Sequence, residues 1–378
     1  MKSNYKRLGD HINEVKVRNT EKKAKKLLGI NIDKFFMPSV ANIVGTDLSV
    51  YRLVRKNQFA CNRMHVGRDY RLPISMSKAD EEFMVSPAYD VFEIKDTDIL
   101  CPEYLMMWFT RREFDRNAWF YTDADVRGGL HWNALCDMQL PIPSIAKQKE
   151  IVKEYNVIQN RITLNQQLIQ KLEETAQAIY KHWFVDFEFP DEPGKPYKSN
   201  GGEMVESEFG DIPKEWAAGD LHELILFKNG KSKPDAAGTY PVYGGNGIVE
   251  SVSKYNDESV IAIGRVGAYC GSLYRVLGKC WISDNAISAK SKTNSNMFSY
   301  YVLNSLNLNV RSEGTGQPLI TQGLLNRIRI IIPKNDIIMK FEKMVINLFR
   351  NHDLLIQETY KLKEMKELLL SKLATVEG

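Results

Sequence analysis

Ser144 to Phe184 holds neither proline nor glycine. Its apolar residues fall at Ile151, Tyr155, Ile158, Ile162, Ile169, Leu172, Ala176, Ile179 and Trp183, and Asn165 fills the one polar slot. Steps that alternate between four and three are the seam of a coiled coil, and charged and amide residues fill the other faces. A helix over 144–184 would be a rod roughly 55–60 Å long at ~1.5 Å per residue. That is longer than a helix on one globular core usually needs, so the stretch demands a second helix to cover its seam.

The chain supplies one. Phe341, Leu348, Leu355, Leu362 and Leu369 recur every seven residues, and Met344, Val345, Met365 and Leu373 widen the stripe. No proline or glycine falls between Asn335 and Glu377. The lead-ins match as well. Met138-Gln139-Leu140-Pro141-Ile142-Pro143 precedes the first helix and Ile328-Arg329-Ile330-Ile331-Ile332-Pro333 the second. Each reads as a strand running into a proline that ends it and lets a helix begin. The two junctions are about 190 residues apart, half of the 378-residue chain. The pattern is a tandem duplication with an approximate two-fold relation: globular half, long helix, globular half, long helix.

The expected boundaries are 1–143 and 216–333 for the globular halves, 144–184 and 334–378 for the helices, and 185–215, rich in Pro, Gly, Ser and acids, for a linker. Both halves mix short strands with short helices such as Tyr104–Phe109, giving an α/β (α+β) class without regular βαβ units. Net charge is +4, which permits an anionic partner without demanding one. The five cysteines are odd in number and form no C-x-x-C, which points to reduced thiols in a cytoplasmic setting. Met1 to Lys26 is polar and no apolar run approaches 18 residues, so neither a secretory leader nor a membrane span is expected.

Catalytic patterns are sparse. Gly230-Lys231-Ser232 has the tail of a phosphate-binding loop, but Ile225 stands where its leading glycine belongs. Gly314-Thr315-Gly316 begins a dinucleotide fingerprint that Leu319 breaks. Asp80 with Glu93 and Lys95 mimics a nuclease metal cluster at a spacing that chance supplies. The six histidines are scattered, so no metal site is expected. The balance favours a binding protein.

Each half offers side chains suited to base edges in glycine-flanked turns. The first has Arg63, His65, Arg68 and Arg71; the second has Tyr243, Asn246, Arg265, Tyr269, Asn285 and Gln317. Arginine pairs bidentately with guanine, and Asn or Gln with adenine. Turns also collect Gly and Asn for backbone reasons, and surface Arg is common. Two such halves on a helical spacer favour recognition of an extended ligand. A structural adaptor, binding other proteins through the coiled coil without DNA contact, is the alternative.

Several stretches together resemble the specificity (S) subunits of Type I restriction–modification enzymes. They are Leu140-Pro141-Ile142-Pro143-Ser144 with Lys147 to Ile151, Leu172 to Lys181 running into Trp183 to Phe187, Pro241 to Ile248, Ile263 to Gly267, and Gly314 to Pro318. The resemblance spans nearly the whole chain. It implies two target-recognition domains that each read one half of a bipartite site in double-stranded DNA. It also implies an antiparallel helix pair between them, on which two methyltransferase (M) subunits dock and bring restriction (R) subunits with them. The residues carried over to the coiled coil and docking are Ile151, Tyr155, Ile158, Ile162, Asn165, Ile169, Leu172, Leu348, Leu355, Leu362 and Leu369. The family's S subunit has no catalytic residues, so S-adenosylmethionine, ATP and Mg²⁺ would belong to the partners. The first half departs in one place: Arg127-Gly128-Gly129-Leu130 stands where the second has Gly314-Thr315-Gly316-Gln317-Pro318. The two halves are therefore expected to read different sequences, making the site asymmetric.

Overall fold

The computed structural model describes residues 5–40, 45–64, 66–122, 128–191, 194–313 and 318–375. The chain divides into two compact units, and each draws on two segments or on parts of both long helices. Unit 1 is 1–165 with 357–378; unit 2 is 166–356. The expected boundaries placed each helix outside its globular half. Here the division falls within the helices, because their ends are packed into the cores.

The first long helix runs Ile145–Phe184 and the second Asn335–Lys372. Ser144 begins the first: its hydroxyl accepts from the Lys147 amide at 3.4 Å and its carbonyl from the Gln148 amide at 3.0 Å. Gln148 is fully buried. Its Oε1 accepts from the Cys101 amide, and its Nε2 donates to the carbonyls of Ile99 and Pro143, each at 2.8 Å. The second helix has Ile338 at the same distance past its proline, 1% exposed in the core. An apolar anchor takes the place of the glutamine there.

The core of unit 1 includes Ile151 and Val152 from the first helix, Leu370 from the second and Leu373 from the turn that follows it. That of unit 2 includes Ala176, Tyr180 and Trp183 with Phe341, Val345 and Phe349. Within either unit the two helices therefore run antiparallel. Asn165 is fully buried in the seam of unit 1, where its Nδ2 donates to Glu358 at 3.0 Å while its Oδ1 has no partner among the described residues. Arg161 grips the same Glu358 through two bonds of 2.9 and 3.0 Å. On the second helix the buried residues are Ile337, Ile338, Phe341, Val345, Phe349, His352, Thr359 and Leu370, with Leu373 just past its end. Leu348, Leu355, Leu362 and Leu369 are only half-buried. A strict seven-residue repeat drifts around a 3.6-residue helix, and the globular cores recruit the neighbouring positions.

The globular part of each unit contains an equivalent four-stranded sheet. Unit 1 has β1 (Ile12–Val15), β2 (Phe59–Cys61), β3 (Ile74–Met76) and β4 (Asp90–Ile94) in the order β1-β4-β2-β3, all antiparallel. Unit 2 has β5 (Ile225–Asn229), β6 (Ala237–Gly244), β7 (Gly247–Val252), β8 (Ile261–Gly264), β9 (Leu273–Arg275), β10 (Lys279–Ile282) and β11 (Ala286–Ser291). Four of these form the sheet β5-β11-β8-β9, antiparallel throughout and equivalent strand for strand to that of unit 1. Pro102–Thr110 and Asn296–Ser305 are matching helices, and Tyr5–Arg7 with Gln139–Pro141 matches Ala217–Asp220 with Arg329–Ile332.

The segment expected as a linker differs from that expectation. It contains a hairpin, Met204–Ser207 with Gly210–Pro213. Phe189 stacks on Trp216 at 5.1 Å and on Tyr197 at 4.6 Å, and Phe187 and Phe189 lie in the core of unit 2. Three aromatic residues outweigh a loop-like composition.

Candidate nucleic-acid interface

In unit 2 four loops meet at one end of the sheet. The turn from β6 to β7 carries Gly244-Gly245-Asn246-Gly247, and the loop after β8 carries Arg265 to Tyr269. The turn from β10 to β11 carries Ser283 to Asn285, and the fourth segment is Pro318 to Ile320. Backbone bonds tie them together. The Arg265 amide donates to the Asn285 carbonyl at 3.0 Å, the Ile320 amide to the Arg265 carbonyl at 2.9 Å, and the Gly267 amide to the Pro318 carbonyl at 3.1 Å. Gly264 explains the tightness: a Cβ there would lie 2.2 Å from the Tyr269 carbonyl oxygen and 2.9 Å from that of Gly245. Gly267 has φ +74°, a conformation glycine adopts without steric cost.

Asn246 and Asn285 are exposed on this platform and Tyr269 is 50% exposed. Arg265 is half-buried, with its Nε enclosed and without a hydrogen-bond partner among the described residues. Tyr243 differs: it is buried in a small cluster with Val260, Ala262, Cys280 and Ile282, and burial pushes its phenol pKa up. It supports the turn from below, because strand alternation turns it inward. Gln317 lies outside the described residues.

Unit 1 repeats the arrangement. The Leu130 amide donates to the Arg63 carbonyl at 2.9 Å and the Gly67 amide to the Gly128 carbonyl at 2.7 Å, the bonds that Ile320 and Gly267 make in unit 2. Gly67 and Gly128 touch: a Cβ on Gly67 would lie 2.7 Å from the Gly128 Cα. The polar side chains are more occupied here. The Arg63 Nε bonds Asp90 at 2.5 Å, and its Nη1 donates to the Leu130 carbonyl. Arg68 holds Asp69 through two bonds of 2.6 and 2.9 Å, and Arg71 reaches Asp33 at 2.8 Å. Arg68 and Arg71 stay exposed, so those pairs are weak and exchangeable. His65 and Arg127 lie outside the described residues.

Two groups escaped the sequence reading. Lys231 is exposed beside the Ser283 turn, and Lys228 is exposed on β5 opposite Ser288. Gly230 brings Lys231 there, since a Cβ on it would lie 1.8 Å from the Ser283 carbonyl oxygen, and the Lys231 amide donates to the Ile282 carbonyl at 3.0 Å. The signal was the basic run KNGKSK, which as a phosphate loop is defective but as a lysine-bearing turn is complete. In unit 1, Tyr70, Arg112, Arg116 and Trp119 join the expected Arg71 in lining a recess of about 240 Å³, with the Tyr70 and Trp119 rings 5.4 Å apart.

The residues that mimicked a nuclease cluster are engaged elsewhere: Asp80 with Lys56, Glu93 with Gln58, and Lys95 with the carbonyls of Gly9 and Asp10. Among the described residues no group of three or more His, Cys, Asp or Glu could hold a metal, and no helix is long and apolar enough to cross a membrane. All five cysteines are buried and free.

The four-stranded sheet and its loop cluster are each present twice, once in each unit. Residues 213–358 match the family model described as Type I restriction modification DNA specificity domain. The chain is 25% identical over 160 residues to the Type I restriction enzyme HindI specificity subunit of Haemophilus influenzae, covering 41% of this chain and 34% of that protein. It is 31% identical over 96 residues to the EcoprrI specificity subunit of Escherichia coli, covering 25% and 24%. The matches thus span about a third or less of these relatives' lengths. The crystal structure of a Type-I restriction-modification system S subunit from M. genitalium shares the fold over 99% of this chain and 96% of that one, with TM-score 0.64 at 15% identity. Residues 213–358 thus carry a domain similar to the DNA specificity domain of Type I restriction–modification systems, and the chain shares its fold with a solved S subunit.

Proposed function

We propose that the chain is the DNA-reading subunit of a Type I restriction–modification complex, and that units 1 and 2 each read one half of an asymmetric bipartite site. The observation that carries this is the overlap of the matched DNA-specificity domain with the loop platform of unit 2. The same hydrogen-bonded frame in unit 1 extends the reading to the first half. Asn246, Arg265, Tyr269, Asn285 and Gln317 would face base edges in one half-site, and His65, Arg68, Arg71 and Arg127 in the other. Lys228 and Lys231 would contact phosphates, which fix register without reading sequence.

In this reading the chain catalyses nothing. S-adenosylmethionine, ATP and Mg²⁺ would be held by two methyltransferase subunits and by the restriction subunits recruited through them, in the cytoplasm. The long helices leave apolar residues uncovered: Val157, Leu164, Tyr360, Met365 and Leu368 in unit 1, and Met339, Met344 and Leu354 in unit 2. We assign these, with the charged residues beside them, to methyltransferase docking.

The test is sequencing of modified bases in host DNA with and without the chain. The expected result is a gapped motif whose modified adenine disappears on deletion. A methylome unchanged by deletion would refute the reading, as would DNA binding that did not weaken steeply with salt.

A further inference from the structure

Arg63 and Arg265 occupy the same place in the two repeats. Each lies two residues beyond a central-strand residue, Cys61 or Ile263, and each carbonyl accepts from the segment that returns to the sheet. Their surroundings differ in one side chain. Opposite Cys61 on the neighbouring strand stands Asp90; opposite Ile263 stands Ile287. Asp90 takes the Arg63 Nε, and the Leu130 carbonyl takes its Nη1. Ile287 is fully buried and offers no acceptor, so the Arg265 Nε is enclosed without a partner among the described residues.

A buried donor left unpaired is costly, and native proteins seldom keep one without a reason. Arg265 also stands where four loops meet, with its backbone fixed by Asn285 on one side and Ile320 on the other. With the Nε enclosed, the guanidinium is left with its Nη1–Nη2 face, one of the two through which it makes paired bonds, and no acceptor among the described residues claims that face. The acceptors that match that fork are guanine O6 and N7 in the major groove.

We infer that Arg265 is the specificity-determining residue for a G·C pair in the half-site of unit 2, whereas Arg63 is a positioning residue that Asp90 holds out of base reading. Asp90 acts as a latch that fastens the Gly128–Leu130 segment to the sheet, so unit 1 reads with other side chains. This rests on the DNA-reading function proposed above.

The chain is purified from its host with the subunits it carries and mixed with a duplex pool of randomised sequence; bound molecules are then sequenced. The unsubstituted protein enriches two short blocks. Arg265→Ala is expected to lose a G·C preference of roughly 5- to 150-fold at one position of one block, with the other block intact. Arg265→Lys keeps the charge but not the fork, so it should lose the same preference while binding retains its salt dependence. Arg63→Ala should lower the thermal midpoint and erase no single-base preference by itself. The inference is overturned if Arg265→Ala weakens all sequences alike and lowers the salt slope by about one unit, the mark of a phosphate contact. Unchanged preferences in both Arg265 variants would overturn it as well, and the lysine variant decides if the alanine variant does not fold. Enrichment of no sequence by the unsubstituted protein would instead refute the DNA reading itself.

Discussion

Replacing Gln148 by leucine tests how the first long helix is fastened to unit 1. The glutamine is fully buried and serves three backbone groups at 2.8 Å. Leucine has nearly the same volume, so little cavity forms. Two of the abandoned groups, the Cys101 amide and the Pro143 carbonyl, belong to buried residues; the third, on Ile99, has access to water. Each buried orphan costs ~1–3 kcal/mol, partly offset by the apolar gain of the leucine, for a net loss of about 2–4 kcal/mol. For units of this size 1 kcal/mol moves the midpoint by ~2–4 °C, so the transition of unit 1 should fall by roughly 5–12 °C. Scanning calorimetry reads the shift, and hydrogen exchange at the Cys101 amide reports whether its bond was lost. A shift below about 1 °C, or unchanged exchange at Cys101, would refute the reasoning. Gln148→Glu should be worse than leucine, because it keeps an acceptor but buries a charge and donates nothing at neutral pH.

Asn165→Leu removes an unpartnered buried oxygen from the seam of unit 1 and should raise stability by about 1–2 kcal/mol, at the expense of pairing specificity; a lower thermal midpoint would contradict this. Burial pushes the Glu342 carboxyl pKa up, against the hydrogen bond from Ser295 and the amides of Met297 and Phe298. Folding therefore favours its protonated form, and the stability this adds at acid pH is lost as pH rises through the raised folded pKa. Thermal midpoints of Glu342→Gln should lack that component, and a difference from the unsubstituted protein that stayed constant between about pH 4.5 and 7.5 would count against it. Gly264→Ala places a Cβ against two backbone oxygens that cannot rotate away, so it should cost ~1–3 kcal/mol and blur the second half-site; a variant with unchanged melting and base preference would show the loops to be looser than described.

The parts that follow local periodicity were legible in the sequence. The seam of the first helix, including Asn165 as its polar member, depends only on spacing along one element. The strand-proline-helix junctions were legible for the same reason. The stacking of Phe189 on Trp216 and Tyr197 was not, because it joins residues that composition assigns to a loop. Nor was the fate of the arginines. Whether Arg63 or Arg265 is available turns on which residue lies across the sheet, Asp90 or Ile287, and no spacing rule reaches that far. The inward turn of Tyr243 had the same source: alternation shows that faces differ, not which face is covered.

The division of the chain also fixes an order of events during synthesis. Unit 2 is complete once residue 356 is made, but unit 1 still lacks 357–378, whose Leu370 and Leu373 lie in its core. The half that begins first is finished last, opposite to the usual progression of domains on the ribosome. At ~5–20 residues per second, the seam of the first helix waits roughly 10–40 s for its cover. During that interval Ile151 and Val152 are without the leucines that later pack with them, so nascent chains halted before residue 357 should bind chaperones through this helix while unit 2 is already resistant to protease.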